Sequence, residues 1–288
     1  MPEEIGYLGP EGTFTEMAVM ELFPGSQLKQ FATIFDCLEA VDDKTVDYGV
    51  VPLENTIEGS VNMTLDYLCH QSSISIVGEL TLPIRQHLLI HPNYKDRWHE
   101  IEEVHSHPHA IAQAHEFLRR NLPGAKLVHT TSTGKAAKLV KETDERVIGA
   151  IGNELAATHY GLAIASSDIH DYENNHTRFV VLTKEGKTLS KKDALVGHKV
   201  TLQITLPSDY PGALYQVLAA FAWRKLNLSK IESRPMKTGL GNYFFIIDIL
   251  SEPDNVLLQG VKNELEALGT AVKVLGEYPC YSVEHKVE

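Results

Sequence analysis

Thr177 and Arg178 stand side by side where the polar stretch ENNH gives way to the apolar run TRFVVLTK. A threonine hydroxyl can give one hydrogen bond, or a proton to a leaving group, and an arginine fork can grip a carboxylate with two parallel bonds. Neighbours in a regular strand point to opposite faces, so joint service at one site requires a strand end or an irregular backbone. Asn174 and Asn175, residues that tolerate left-handed angles, stand where such an irregularity is expected. The plainer alternative is an exposed strand start carrying a surface ion pair.

Three other segments share one logic, a polar capping residue followed by a helical pattern. They are GPEGTFTEMA (9–18), with Thr13 three residues before Glu16; VPLENTIEGSV (51–61), with Asn55 three before Glu58; and TTSTGKAAK (130–138), with Ser132 ahead of Thr133 and Lys135. A helix start presents unpaired N–H groups and the positive pole of the helix dipole. One alone is an ordinary cap. Three of them, each following a strand, suit a small carboxylate ligand. TSTGK is not a phosphate-cradling loop, because it lacks the earlier glycine that such loops need. The triplet His105, His107 and His109 is interrupted by Pro108 and followed by AIAQAHEFL, which reads as a strand-to-helix turn rather than a metal centre. Cys37, Cys69 and Cys280 are too scattered for a zinc cluster or a disulfide framework. No metal and no cofactor is expected.

The elements that must position these residues are short strands alternating with helices. IGYLG, DYGVVP, SISIVGEL, RQHLLIHP, EVHSH, KLVHT, VIGAIG, LAIASSDI and TRFVVLTK read as strands. Helical patterns occupy 14–22, 33–42, 61–70, 109–120, 133–142 and 153–159. The fold class is α/β, in two lobes, with a cleft at the carboxyl ends of strands. That organisation spans 1–183, followed by a lysine-rich linker at 184–197 and a second domain at 198–282. In the second domain Val200, Leu202, Ile204 and Leu206 alternate as in a half-buried strand, and Leu214, Val217, Leu218 and Phe221 share a helix face. LNLSKI and NYFFIIDIL read as strands joined through SRPMKTGLG, Val261, Leu265 and Leu268 as a helix, and AVKVLGEY as a last strand. The order βαββαβ is ferredoxin-like. The first 183 residues carry 13 basic and 26 acidic side chains, whereas 198–282 carry eight of each. A chain of 288 residues with net charge −12 is a poor partner for nucleic acid or an anionic membrane. With no long apolar run and no leader pattern, a cytoplasmic protein is expected.

In order along the chain, GPEGTFTE, VPLENTIEGSV, HPHAIAQ, TSTGKAA, IGNELAATHYGL and NHTRFVVL resemble the successive motifs of the prephenate dehydratase family. PGALYQVL and IESRP resemble the ligand motifs of its ACT regulatory domain, and the likeness runs from about residue 4 to 282. The resemblance implies a two-lobed, periplasmic-binding-protein-like catalytic domain that converts prephenate to phenylpyruvate, water and carbon dioxide, monofunctionally and without a cofactor. It implies Thr177 as the donor to the leaving hydroxide, and Arg178 as a group that steadies a carboxylate or orders the threonine. Asn55 joins them in catalysis, while Thr13, Glu54, Ser132, Thr133 and Phe179 bind substrate. It further implies feedback by phenylalanine held between two ACT domains of a homodimer or homotetramer. Gly212, Ala213 and Leu214 then offer backbone N–H groups, Asn227 and Leu228 cover the ligand, and Glu232, Ser233, Arg234 and Pro235 form the facing wall. His109 stands where the family often has glutamine, and Tyr215 where a smaller aliphatic is common. Arogenate dehydratase, from the same family, and a non-enzymatic amino-acid sensor stay open as alternatives. A pure sensor has no need of the Thr177 donor.

Overall fold

A computed structural model describes residues 3–70, 73–184, 186–189, 194–208, 210–236, 243–250 and 256–283. The first lobe runs through β1 (Glu4–Leu8), α1 (Phe14–Leu22), β2 (Gln27–Phe31), α2 (Ile34–Asp42), β3 (Tyr48–Asn55), β4 (Gly59–Ser60), α3 (Asn62–His70) and β5 (Ser75–Pro83). The second holds β6 (His87–Ile90), a 3-10 segment at Pro92–Glu100, β7 (Glu103–Ser106), α4 (Pro108–Gln113), α5 (His115–Asn121), β8 (Lys126–His129), α6 (Thr133–Glu142), β9 (Ile148–Gly152), α7 (Glu154–Tyr160) and β10 (Ala163–Ser166). The chain returns to the first lobe as β11 (His176–Thr183). The C-terminal domain is β12 (Leu195–Thr205), α8 (Ala213–Ala222), β13 (Asn227–Pro235), β14 (Tyr243–Leu250), α9 (Val256–Ala267) and β15 (Ala271–Ser282).

Two sheets organise these elements. The second lobe has the order β10-β6-β9-β7-β8. The first lobe's path, β5-β11-β3-β1-β2, continues through a parallel β15–β5 pairing into β13-β14-β12-β15, so catalytic and C-terminal strands share one sheet. Gly276 permits that junction: a Cβ there would sit 2.3 Å from the Ile76 carbonyl oxygen. β11 is flanked on both sides, between β5 and β3. Phe179 and Val181 face a core with Val19 and Leu22 of α1, and Val180 and Leu182 face a core with Leu38 of α2 and Leu68 of α3. The C-terminal core packs Val200, Leu202 and Ile204 against Val217, Phe221, Val261 and Leu265, which places both helices on one sheet face.

The chain crosses between the lobes twice, and the crossings are bonded together. Ile84 N–H donates to the Asn175 carbonyl and Ile169 N–H to the Gln86 carbonyl, both at 2.8 Å. Asp168 N–H donates to His87 Nδ1 at 3.0 Å.

Several elements differ from the sequence expectation for identifiable reasons. β2 has no strand pattern to read, because QLKQF lies exposed on nearly every residue. The helix expected over 109–120 breaks at Ala114 into α4 and α5. The 3-10 segment at Pro92–Glu100 buries none of its residues, so no apolar periodicity marks it. IESRP is strand, since β13 continues to Pro235. Leu268 lies beyond α9 and is exposed rather than part of its buried face. β12 opens at Leu195, inside the stretch read as linker. Residues 185 and 190–193 of that stretch, and 237–242 of the expected β13–β14 connection, lie outside the described residues.

Candidate active site between the lobes

A cavity of about 570 Å³ lies between the two lobes. Thr13, Asn55, Thr177 and Phe179 reach it from the first lobe, and Ser132 and Thr133 from the second. Among the described residues no lysine or arginine lines it; its titratable lining groups are Glu58, His107 and His109.

The caps come from local chain geometry. Thr13 Oγ1 accepts Glu16 N–H at 3.4 Å, and Glu16 Oε2 reaches back to Gly12 N–H at 2.5 Å, closing a reciprocal cap on α1. Ser132 Oγ accepts Lys135 N–H at 3.1 Å and caps α6. Gly134 lets α6 meet the first lobe, because a Cβ there would fall 2.2 Å from the Glu11 carbonyl oxygen. Two helix N-termini, of nine and ten residues, thus meet at the cavity from opposite lobes. Each brings unpaired N–H groups and a positive dipole end.

Asn55 caps no helix, contrary to the sequence expectation. It ends β3, and its Oδ1 accepts Ile57 and Glu58 N–H, both at 3.0 Å, in a turn that leads into β4. Its amide donates to Thr177 Oγ1 at 2.8 Å and Asn175 Oδ1 at 2.9 Å, with the His176 carbonyl at 3.2 Å. Thr177 Oγ1 is therefore a hydrogen-bond acceptor toward Asn55, and the residue lines the cavity. A hydroxyl oxygen that accepts a bond becomes the better donor. Neither Asn174 nor Asn175 takes a left-handed backbone. Asn175 is buried and serves instead as the partner of Asn55, a role that residue type alone did not signal.

Arg178 is turned away from the cavity. Its guanidinium pairs with Glu54 at 2.5 Å, Glu79 at 2.6 Å and Asp248 at 2.7 Å. Burial works against its charge, but Glu79 and Asp248 outweigh that and hold its pKa well above the ordinary range. The expected carboxylate clamp is thus corrected by the alternation of β11, which puts Thr177 on the cavity face and Arg178 on the other. Glu54 faces away with it, paired also with Lys230 at 3.1 Å, and does not line the cavity. Lys199 from β12 adds a 2.6 Å pair to Glu79. This network ties the first lobe to the C-terminal domain.

The three histidines part company. His105 pairs with Glu103 at 3.1 Å, and His107 caps α4 by accepting His109 N–H at 3.3 Å. Burial, helped by His109, holds the His107 imidazole below its ordinary pKa. His109 faces Glu58 across the cavity at 3.6 Å. Gln86 and Gln113 line the cavity as well, joined at 3.4 Å; the sequence pattern did not single out Gln86.

The residues expected to hold an effector divide by strand alternation. On β13, Asn227, Ser233 and Pro235 are exposed, whereas Leu228, Glu232 and Arg234 are half-buried. Glu232 and Arg234 bond to Ser60, Asn62 and Asp66 of the first lobe, not to an open wall. Gly212 has the left-handed angle that opens α8; beside it Ala213 is buried and Leu214 partly exposed.

The chain folds as a two-lobed α/β domain with a cavity between the lobes and a ferredoxin-like βαββαβ domain appended. The prephenate dehydratase family model matches residues 5–187. The prephenate dehydratase of Bacillus subtilis (strain 168) is 50% identical over 284 residues, covering 97% of this chain and 100% of that protein. That of Methanocaldococcus jannaschii is 38% identical over 285 residues, covering 98% and 100%. A solved structure of prephenate dehydratase from Arthrobacter aurescens in complex with L-Phe superposes with a TM-score of 0.84 at 34% identity, over 96% of this chain and 89% of that one. The chain belongs to the prephenate dehydratase family.

Proposed function

We propose that the interlobe cavity converts prephenate to phenylpyruvate, water and carbon dioxide, with Thr177 as proton donor to the departing hydroxide. The ring carboxylate leaves as carbon dioxide, its bonding electrons aromatise the ring, and the C–O bond to the ring hydroxyl breaks. A proton delivered to that oxygen makes the leaving group water. The observation that carries this reading is the 2.8 Å bond from Asn55 to Thr177 Oγ1, which orients the hydroxyl proton toward the cavity. The N-termini of α1 and α6, with Thr13, Ser132 and Thr133, hold the two carboxylates through neutral donors. Such donors bind charge without protonating the group that must leave as carbon dioxide. Arg178 and Glu54 support the strand ends from behind, and Phe179 forms apolar wall. The test is turnover of prephenate, read as phenylpyruvate absorbance in alkali, for wild type and Thr177→Val, with arogenate as parallel substrate. A Thr177→Val enzyme that keeps full turnover would move the donor role elsewhere.

The C-terminal domain is the regulatory one, binding L-phenylalanine near Gly212–Leu214 and the outward face of β13. The L-Phe complex of the Arthrobacter relative supports this. A homodimer or homotetramer is supported by β13, the terminal strand of its sheet among the described residues, and by exposed Tyr215 on α8 and Trp223 at its C-terminal cap. Three buried free cysteines fit a reducing, cytoplasmic setting. Among the described residues no helix is long and apolar enough to cross a membrane.

A further inference from the structure

Ser60 belongs to the catalytic lobe, yet two residues of the C-terminal domain hold its side chain. Lys230 Nζ donates to Ser60 Oγ at 2.6 Å, and Ser60 Oγ donates to Glu232 Oε2 at 2.5 Å. Lys230 and Glu232 are themselves paired at 3.2 Å, so the three form a closed triangle across the domain boundary. Neither Lys230 nor Glu232 lines the cavity.

What they hold matters for the chemistry. Ser60 ends the two-residue strand β4, which pairs with β3 in the register Glu54↔Ser60 and Asn55↔Gly59. Two residue pairs make a weak ladder, and Gly59, at φ +79°, adds no stiffness to the turn. The turn is held in its middle by Thr56, whose N–H and Oγ1 bond His176, and by Glu58 facing His109, and it is anchored at both ends. One end is Asn55, which carries the bond to Thr177; the other is Ser60, clamped by β13.

We propose that Lys230 and Glu232 are positioning residues for the reaction: by fixing Ser60 they fix the 55–60 turn, and through Asn55 they aim the Thr177 hydroxyl. The proposal rests on the reading of Thr177 as the donor. It makes the regulatory domain part of what completes the catalytic geometry, and puts the clamp on the opposite face of β13 from Ser233 and Pro235.

The experiment is a kinetic double-mutant cycle on the full-length chain: Ser60→Ala, Lys230→Met, the double variant, Lys230→Arg and Thr177→Val. Folding is checked by circular dichroism and thermal melting. Ser60→Ala and Lys230→Met should each lower kcat at least fivefold with KM within twofold of wild type. Lys230→Arg should recover most of the loss, and the double variant should be no slower than the slower single. The clamp is rejected if both single variants keep kcat within twofold, if the losses multiply, or if KM alone moves. Should Lys230→Met fail to fold, Glu232→Gln, which removes the other arm of the clamp from outside the cavity that Ser60 itself lines, decides beside Ser60→Ala by the same kcat and KM limits. Activity surviving in Thr177→Val rejects the donor reading; an inactive Thr177→Val beside unaffected Ser60 and Lys230 variants rejects only the clamp.

Discussion

The two faces of β11 at its first turn carry different chemistry one residue apart. On the cavity face Thr177 meets Asn55 in a bond between neutral groups. On the far face Arg178 meets three carboxylates from three strands, one of them in the other domain. The proposed reaction needs a proton placed with precision and charged groups kept off the leaving carboxylate, and Thr13, Asn55, Thr177 and Ser132 offer neutral groups there, beside the Glu58–His109 pair. The domain junction needs direction and strength, so ion pairs occupy the back. One strand serves both because its alternation separates them.

The largest effects should come from breaking either face, and they should differ in kind. Thr177→Val keeps the shape and removes the donor: kcat should fall about 10²- to 10⁴-fold, with the melting temperature nearly unchanged. Arg178→Met takes the shared cation from Glu54, Glu79 and Asp248, leaving Lys230 on Glu54, Lys199 on Glu79 and only Thr201 on Asp248. Removing one partner of a buried ion pair costs about 3–5 kcal/mol, so this variant should show a large loss in a denaturant melt. The comparison breaks if Arg178→Met melts like wild type while losing turnover, because the arginine would then be acting on substrate.

How much of this was legible in sequence depended on the range of each interaction. Thr13 and Ser132 were readable as caps because a cap is settled within three residues. Asn55 was readable as a local acceptor but not as a turn, since an Asx turn and a helix cap use the same side-chain geometry. The βαββαβ order was legible because Val200, Leu202 and Ile204 alternate without interruption. Arg178 was misplaced for a different reason: its partners Glu79 and Asp248 lie 99 and 70 residues away, and nothing near it announces them. The tie of Ser60 to Lys230, across 170 residues, was equally silent.

Acid should loosen the lobe crossing before it loosens the domain junction. Burial, helped by His170 and Arg85 and opposed by Asp168 and Glu154, holds the His87 pKa below its ordinary value of about 6.5. The unfolded chain therefore takes up this proton first. Its contribution to stability is complete above about pH 6.5 and declines as pH falls toward the lower folded value. Geometry agrees, because a protonated Nδ1 cannot accept the Asp168 N–H. Glu232 is also held low: burial would raise it, but Ser60, Lys230 and Arg234 together outweigh burial. Its contribution is lost only as pH drops below the ordinary glutamate value of about 4.3. Melting curves from pH 8 to 4 should show the first decline just below neutrality, and His87→Asn should lessen it, with His105 and His107, likewise held low by burial, contributing the rest. An unaltered decline in that variant would assign it to another group.

The smallest effect sharpens the comparison most, because it separates a structural cap from one that also meets the ligand. Thr33 caps α2 without lining the cavity, although Ala32 before it does, its Oγ1 accepting Asp36 N–H at 3.1 Å, the same distance as the Ser132 cap on α6. Replacing either residue by alanine removes one capping bond and should cost about 1 kcal/mol, so the two variants should lose similar stability. Ser132 also lines the cavity, where its helix end is proposed to hold a carboxylate, while Thr33 does not line it. Ser132→Ala should therefore raise KM for prephenate several-fold, and Thr33→Ala should leave KM unchanged. Equal KM values in the two variants would show that the N-terminus of α6 binds no substrate, and would leave the α1 end as the carboxylate site.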